Sequence, residues 1–262
     1  MKYYYREHLA GYEQIVAEGK TAWGEIHGVE GFDNFSSRPF LEKALPRLVF
    51  DSPRPLALEY GCGTGPGACF LAARGFAVDG IDLIPAAIDI ARKQAAQRNL
   101  DIRFEVMDVC SLPVDGGPYD LIVDSYCLQG IVLDAERQRL FAAVHARLAP
   151  AGYYLVSSAI FNGQNYRPDE VIRDERTGVV YHRYGDDAMI DPDGLVYDTF
   201  AEKPEGLEPI VQIAGLWCLP YRRHRTPAAL RTELESAGFR VLLQDANHFV
   251  CAQPDFPAQL LE

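Results

Sequence analysis

Two textures of apolar and polar positions alternate along the sequence. Near the start, Tyr5, Leu9, Tyr12, Ile15 and Val16 recur at the spacing of one helical face. Glycines between residues 24 and 31 interrupt that face. Ser37 followed by Arg38 and Pro39 reads as an N-cap with proline in the first turn, opening a second helix to about Phe50. From residue 55 short apolar runs take over, at 55–60, 77–82, 102–106, 119–124 and 153–158. Stretches of helical period lie between them, at 68–73, 85–98 and 134–148, the last stopped by Ala149, Pro150, Ala151 and Gly152. Strands separated by helices of this length predict a parallel sheet with right-handed crossovers.

Residues 161–225 lose that rhythm. They are acidic and rich in Tyr, Gly, Pro and Asp, with β-like runs at 178–184 and 210–213. A structureless loop of that length is rare in a compact domain, so a small β-containing insertion is expected. Thr226 and Pro227 then start a helix to Ala237, capped by Gly238. Strands at 239–243 and 249–252 follow, joined by a turn around 245–248 short enough to predict an antiparallel hairpin at the sheet edge.

The richest local chemistry is Glu59-Tyr60-Gly61-Cys62-Gly63-Thr64-Gly65-Pro66-Gly67, at the first strand-to-helix turn. Glycines there permit φ > 0 and let backbone N–H groups approach a ligand closely. The following helix presents its positive end, so the turn suits an anionic group. A nicotinamide site asks for G-x-G-x-x-G. Counted from Gly61 the sixth position is Pro66; counted from Gly63 it is Ala68, a permitted variant. The Gly-Lys-Ser/Thr of a P-loop is absent. Asp82 ends the second strand about 20 residues on, where a carboxylate can accept both ribose hydroxyls. Leu83 or Ile84, just beyond, could pack on an adenine ring.

An acidic residue two before the first glycine, with glycines at alternate positions after it, resembles motif I of class I S-adenosylmethionine-dependent methyltransferases of the small-molecule type. The resemblance extends over residues 55–160 and 226–253, through the 119–125 strand and the helix ends at 148–153 and 234–239. It implies a Rossmann-like α/β fold with a mostly parallel seven-stranded sheet, its last hairpin antiparallel. It implies S-adenosylmethionine as cofactor, held by Glu59, Gly61, Gly63, Gly65, Asp82 and Leu83. Asp108 would take the adenine amino group, the Val109 N–H a ring nitrogen, and Ser125 at the end of the fourth strand would meet the methionine moiety. Arg38 opens the helix before the first strand, from where related small-molecule enzymes reach the cofactor carboxylate with a basic residue. The implied organisation is an N-terminal helical cap (1–50), a cofactor-binding core (51–160), a substrate-side insertion (161–225) and a C-terminal completion of the sheet (226–262).

Methyl transfer from a sulfonium is an in-line displacement in which the protein positions, desolvates and sometimes deprotonates the acceptor. The fourth strand ends in Asp124-Ser125-Tyr126-Cys127, without the Asn/Asp-Pro-Pro-Tyr/Phe of nucleic-acid amino methylation, which supports a substrate other than nucleic acid. Candidate catalytic groups are His182, His224 and Tyr126, the histidines as bases near neutral pH. Candidate substrate-lining groups are Tyr4, Trp23, His27, Gln129, Tyr181, Tyr184, Trp217 and Arg222; Arg222 and Arg223 could hold a substrate carboxylate in two-pronged fashion. Each also reads plainly as core packing or surface. The acceptor atom stays open among O, N and C. A protein or peptide acceptor, an NAD(P)-dependent oxidoreductase and a non-catalytic cofactor-binding regulator remain the other readings.

A net charge of −12 argues against phosphate backbones and anionic lipid as partners. No apolar run approaches the ~20 residues of a membrane span, and the start lacks a secretory pattern, so a cytoplasmic protein, monomer or homodimer, is expected. The six cysteines are scattered without metal spacing, which predicts free thiols and no metal site.

Overall fold

The computed structural model describes residues 2–161, 163 and 166–257. The chain opens with α1 (Tyr3–Ala17), a 3-10 turn at Trp23–His27 and α2 (Arg38–Ala44). There follow β1 (Leu56–Tyr60), α3 (Pro66–Ala72), β2 (Ala77–Asp82), α4 (Pro85–Gln97), β3 (Ile102–Val106), β4 (Tyr119–Ser125), α5 (Asp134–Arg147) and β5 (Leu148–Ser157). Six strands come next: β6 (Tyr166–Arg173), β7 (Val180–Tyr184), β8 (Ala188–Ile190), β9 (Leu195–Phe200), β10 (Val211–Ile213) and β11 (Leu216–Arg223). The chain closes with α6 (Pro227–Ser236), β12 (Arg240–Asp245) and β13 (His248–Ala252).

Seven strands make the first sheet, in the order β12-β13-β5-β4-β1-β2-β3. β1, β2, β3, β4 and β5 run parallel, and β13 lies antiparallel between β5 and β12. Strands β1 and β4 are buried on both faces, as central strands covered by helices must be, and so they read as continuous apolar runs rather than alternating ones. The covering helices turn one stripe inward: Ile88, Ala91 and Ala95 of α4 pack with Val78, Phe104 and Leu71. Leu140, Phe141 and Val144 of α5 pack on the other face with Ile122 and Tyr154. Each large side chain so buried contributes roughly 1.5–3 kcal/mol. Buried Arg137 of α5 ties this face together. It donates to Glu233 of α6 and to the carbonyls of Leu128 and Ile131.

Strands β6 to β11 form a second, wholly antiparallel sheet in the order β10-β11-β9-β8-β7-β6, with its own small core of Tyr181, Met189, Ile213 and Cys218. It is fastened to the first sheet's carboxyl edge. Arg222 pairs with Glu7 of α1 at 2.7 Å, Arg223 pairs with Asp134 of α5, and Ile160 bridges to Arg225. No helix among the described residues is long and apolar enough to cross a membrane.

Two local expectations are corrected. Ser37 does not cap α2; its backbone is already helical and its hydroxyl turns inward to Ser125. Pro46 breaks the helix early, leaving a 3-10 turn at Leu45–Arg47 instead of helix to Phe50. The 149–152 segment, which stops α5, is already part of β5. Leu148 pairs with Tyr119, and the ladder resumes at Leu121 opposite Tyr153 after a register shift, so Ala149 to Gly152 ride in the strand as an irregularity. Gly152 is required there, because a Cβ would sit 2.8 Å from the Tyr119 carbonyl oxygen.

Candidate active site

The site begins where β1 turns into α3. Gly61, Gly63 and Gly65 all have positive φ, of 61°, 56° and 85°. A side chain at Gly61 would strike Cys127, one at Gly65 would press on Ala91 and Phe104, and one at Gly63 would lie 2.5 Å from the Tyr12 hydroxyl. The turn is held by Asp82 at the end of the neighbouring strand, whose two oxygens accept from the Gly63 N–H and the Ile84 N–H, both at 2.9 Å. Asp82 therefore organises the glycine turn while facing the ground beyond it. Ile84 is fully buried with Ile15 and Ala87, so of the two apolar candidates only Leu83 is left partly open.

Glu59 lies beneath the turn, its Oε1 packed against Gly67 in the first turn of α3, where a carboxylate meets the helix's positive end. Burial pushes its pKa up to about 8. Burial likewise raises Asp124 to about 7, against the Cys127 and Leu128 N–H groups that bond it, and Asp82 to about 6, against the N–H groups of Ile84 and Gly63. Three carboxyl groups thus converge at the carboxyl ends of β1, β2 and β4, all costly to ionise without a positive guest. Glu59 Oε2, Thr64 Oγ1 and Asp124 Oδ2 are buried with no hydrogen-bond partner. Such orphaned acceptors mark a place built for a ligand with donors or positive charge.

Asp108, after β3, is also near, because Val106 pairs with Asp82 across the sheet. Its carboxylate is committed: Lys2 donates to Oδ2 at 2.7 Å, Tyr4 to the same oxygen at 2.9 Å, and the Cys110 N–H to Oδ1 at 2.9 Å. Burial alone would raise its pKa, but these donors outweigh it and hold the group below its ordinary value. Val109 is buried beside it. Tyr4 is therefore a partner of Asp108 rather than a free wall residue. Ser125 is met by the Ser37 hydroxyl at 2.8 Å. Arg38 is not brought in. Its guanidinium goes to Glu42 and to the Asp33 carbonyl on the outer surface, and Ser37 is the residue of that helix start that faces inward.

On the far side of Ser125, Tyr126 has φ of +66°, uncommon for a bulky residue, and its ring stands edge-on to His248. Asn247 donates to Ser158, and His248 bonds Ser157 at 2.9 Å. The Gln129 side chain accepts from the Ala159 N–H. A Cβ on Gly130 would meet both Arg222 and His8 at 3.5 Å, so those two side chains converge from β11 and α1. Arg222 is already paired with Glu7, and Arg223 with Asp134, so neither offers a free fork to a substrate carboxylate. Tyr184 and His224 join at 3.0 Å; burial, then the Arg222 charge, lowers the His224 pKa to about 4, which keeps its ring neutral.

Other candidates lie elsewhere. His182 is engaged inside the second sheet, against the Tyr166 ring and the Pro168 carbonyl. Tyr181 belongs to that sheet's own core. Trp217 sits at the start of β11, beneath Lys203 and away from Arg222 at the strand's other end. Trp23 packs on Tyr12, His8 and His27, forming an outer wall over α1, with His27 exposed. Sequence reasoning missed His8, Tyr12, Ser37, Asn247 and His248. Tyr12 was visible only as one member of an apolar helical stripe, and nothing marked the others. Among the described residues no group of three His, Cys, Asp or Glu side chains could hold a metal ion.

The chemistry of this lining fits S-adenosylmethionine: a bare glycine turn, buried acceptors without donors, and the carboxylates of Asp82 and Asp108 at neighbouring strand ends. Residues 57–152 match the family described as methyltransferase domain. The 2-heptyl-1-hydroxyquinolin-4(1H)-one methyltransferase of Mycobacteroides abscessus is 31% identical over 113 residues, 43% of this chain and 48% of that protein. The chain spans about half the length of the curated relatives it matches. Among solved structures, the CcbJ methyltransferase from Streptomyces caelestis aligns with a TM-score of 0.56 at 20% identity, covering 85% of this chain and 91% of that one. The 1,6-didemethyltoxoflavin-N1-methyltransferase of Burkholderia thailandensis, solved with S-adenosylhomocysteine, aligns with a TM-score of 0.52 at 18% identity, covering 94% and 88%. Both share the fold of this chain.

Proposed function

Taking the α/β core as a class I S-adenosylmethionine-dependent methyltransferase domain, we propose that the protein transfers the cofactor's methyl group to a small-molecule acceptor. The observation that carries this reading is the converging set of Glu59, Asp82 and Asp124 beneath a positive-φ glycine turn, with buried acceptors left without donors. When bound, S-adenosylmethionine supplies an activated methyl group on a sulfonium. The chain's part is binding and positioning. The amino-acid tail lies over the bare glycines of the 61–65 turn, with Glu59 and Thr64 beneath it. Asp82 accepts the ribose hydroxyls. Leu83 covers the adenine, and Asp108 and the Val109 N–H read its edge. Ser125 meets the methionine end.

The acceptor side is assigned to Tyr126, Gln129, His8, Tyr184, His224 and Arg222, between the carboxyl edge of the first sheet and β11. His224 is neutral and hydrogen-bonded to Tyr184, so it can orient an oxygen or nitrogen acceptor; with its pKa lowered to about 4 it is too weak a base to keep the acceptor's proton. A relative is named for 2-heptyl-1-hydroxyquinolin-4(1H)-one and a structural neighbour for 1,6-didemethyltoxoflavin, which supports a small heteroaromatic acceptor. The protein acts as a monomer or homodimer in the cytoplasm on this reading.

Calorimetric titration with S-adenosylhomocysteine is the direct test. Saturable binding is expected, followed by transfer of labelled methyl from S-adenosylmethionine to an N-hydroxyquinolone or a related heteroaromatic. A folded protein that gives no heat with S-adenosylhomocysteine overturns the reading.

A further inference from the structure

We propose that α1 is a gate on the cofactor site: Tyr12 and the Lys2–Tyr4 pair occupy two places that the cofactor needs, and cofactor exchange waits on their release. The inference rests on the assignment of the 61–65 turn and Asp108 to the cofactor. At one end, Tyr12 is 6% exposed and its hydroxyl lies against the Gly63 α-carbon, where a Cβ would come within 2.5 Å of it. A ligand tail running over a bare glycine must touch that same α-carbon, so it and the hydroxyl cannot share the position. The hydroxyl makes no hydrogen bond among the described residues. Tyr12 is placed by packing alone, against Trp23 at 5.1 Å and the Ile15, Ile84 and Ala87 cluster.

At the other end of the helix, Lys2 and Tyr4 fill Oδ2 of Asp108 while the Cys110 N–H takes Oδ1. An adenine amino group reaching Asp108 must displace one of the first two. Tyr3, between them, is anchored independently. Its hydroxyl donates to Glu136 and accepts from the Val132 N–H, and its own N–H donates to the Glu208 carbonyl. None of these three partners belongs to the cofactor residues, so Tyr3 is the pivot about which the remainder of α1 lifts. The second sheet holds the middle of the helix through Glu7 and Arg222.

Trp23 reports the motion, because it packs on both Tyr12 and Gly11. The chain has two tryptophans, so Trp217→Phe leaves Trp23 as the only one. Stopped-flow fluorescence of that protein with S-adenosylhomocysteine should show a change in the Trp23 signal on binding. The combined variant Lys2→Ala, Tyr4→Phe removes the half-exposed Lys2–Asp108 ion pair, the Tyr4–Asp108 and Lys2–Tyr4 hydrogen bonds and the longer Lys2–Glu136 contact, while keeping Asp108 and the Tyr4 ring. Its association rate should rise about fivefold or more. A second arm needs no variant at positions 2 and 4. S-adenosylhomocysteine carries no net charge, so raising salt to about 0.5 M should speed association by screening Lys2 from Asp108 rather than by altering ligand steering. The variant's folding does not bear on this arm. Binding by calorimetry with a silent Trp23, or with an association rate unmoved by both salt and variant, overturns the gate and leaves the cofactor assignment standing. No calorimetric binding to the unaltered protein overturns the assignment beneath it.

Discussion

Asp82 carries two duties on one carboxylate. It accepts from the Gly63 and Ile84 N–H groups, and in the proposed complex it also accepts the ribose hydroxyls. Asp82→Ala should weaken S-adenosylhomocysteine binding by about 1–3 kcal/mol, read by calorimetry, with unchanged affinity placing the sugar elsewhere. Burial has raised its pKa to about 6, so the ionised form that accepts both hydroxyls is depleted as pH falls through that value. Affinity should therefore be level above about pH 7 and fall with acidification below about 6; a flat profile down to pH 5 would count against the role. Individual residues were legible to the extent that their chemistry is bound to a motif. The glycines, Glu59 and Asp82 stood in a pattern that few other functions use. Arg38 did not. Its charge attracted attention, whereas Glu42 one turn along the same helix supplies its partner, and the smaller neighbour Ser37 turns inward.

At the scale of elements, the β1–α3 turn fails if any of its glycines gains a side chain. Gly63→Val should abolish cofactor binding while the far-ultraviolet circular dichroism spectrum stays native, because the new side chain meets the Tyr12 hydroxyl and the ligand's place over the turn at one local contact. Glu59 under the same turn gives a different signature. Its folded pKa, about 8, lies above the ordinary carboxyl value of 4.5, so the folded protein holds a proton that the unfolded chain has released. Stability from this group is full below about pH 4.5 and is lost as pH rises toward 8. The melting temperature of the cofactor-free protein should decline over that range, and Glu59→Gln, which mimics the protonated form, should flatten the decline. Persistence of the full slope in the variant would shift the cause to Asp82 or Asp124. Strand and helix positions were readable because parallel strands are apolar throughout and helices keep their period. The opening of β5 was not, since Ala149-Pro150-Ala151-Gly152 has the composition of a stop, and only pairing with Tyr119 makes it strand.

For the whole molecule, the two sheets and the helical cap are joined by a few buried charges. Arg137, 3% exposed, binds Glu233 and two loop carbonyls and so locks α5 to α6 and to the loop after β4. Arg137→Ala should destabilise by about 3–5 kcal/mol, since the carbonyls and the carboxylate lose their shared donor; a urea midpoint within experimental error of the parent would refute that. In the sequence Arg137 is one charge among several on a helix whose polar and apolar residues are evenly matched, and the arrival of α6 from 90 or so residues away helps to bury it. The second sheet was foreseeable as β structure from its Tyr-rich runs, but its strand order depends on hairpins whose turns carry no strong local code. Its outer strand, β6, is exposed along most of its length and has a free edge. Pro168, Asp169 and Glu170 sit there at a register shift, removing one N–H donor and placing like charges side by side. That edge is a poor template for another chain to zip onto, which lets an open sheet stay in solution without fibre growth. Replacing the three residues with threonine or valine would turn the margin of the molecule into an adhesive one.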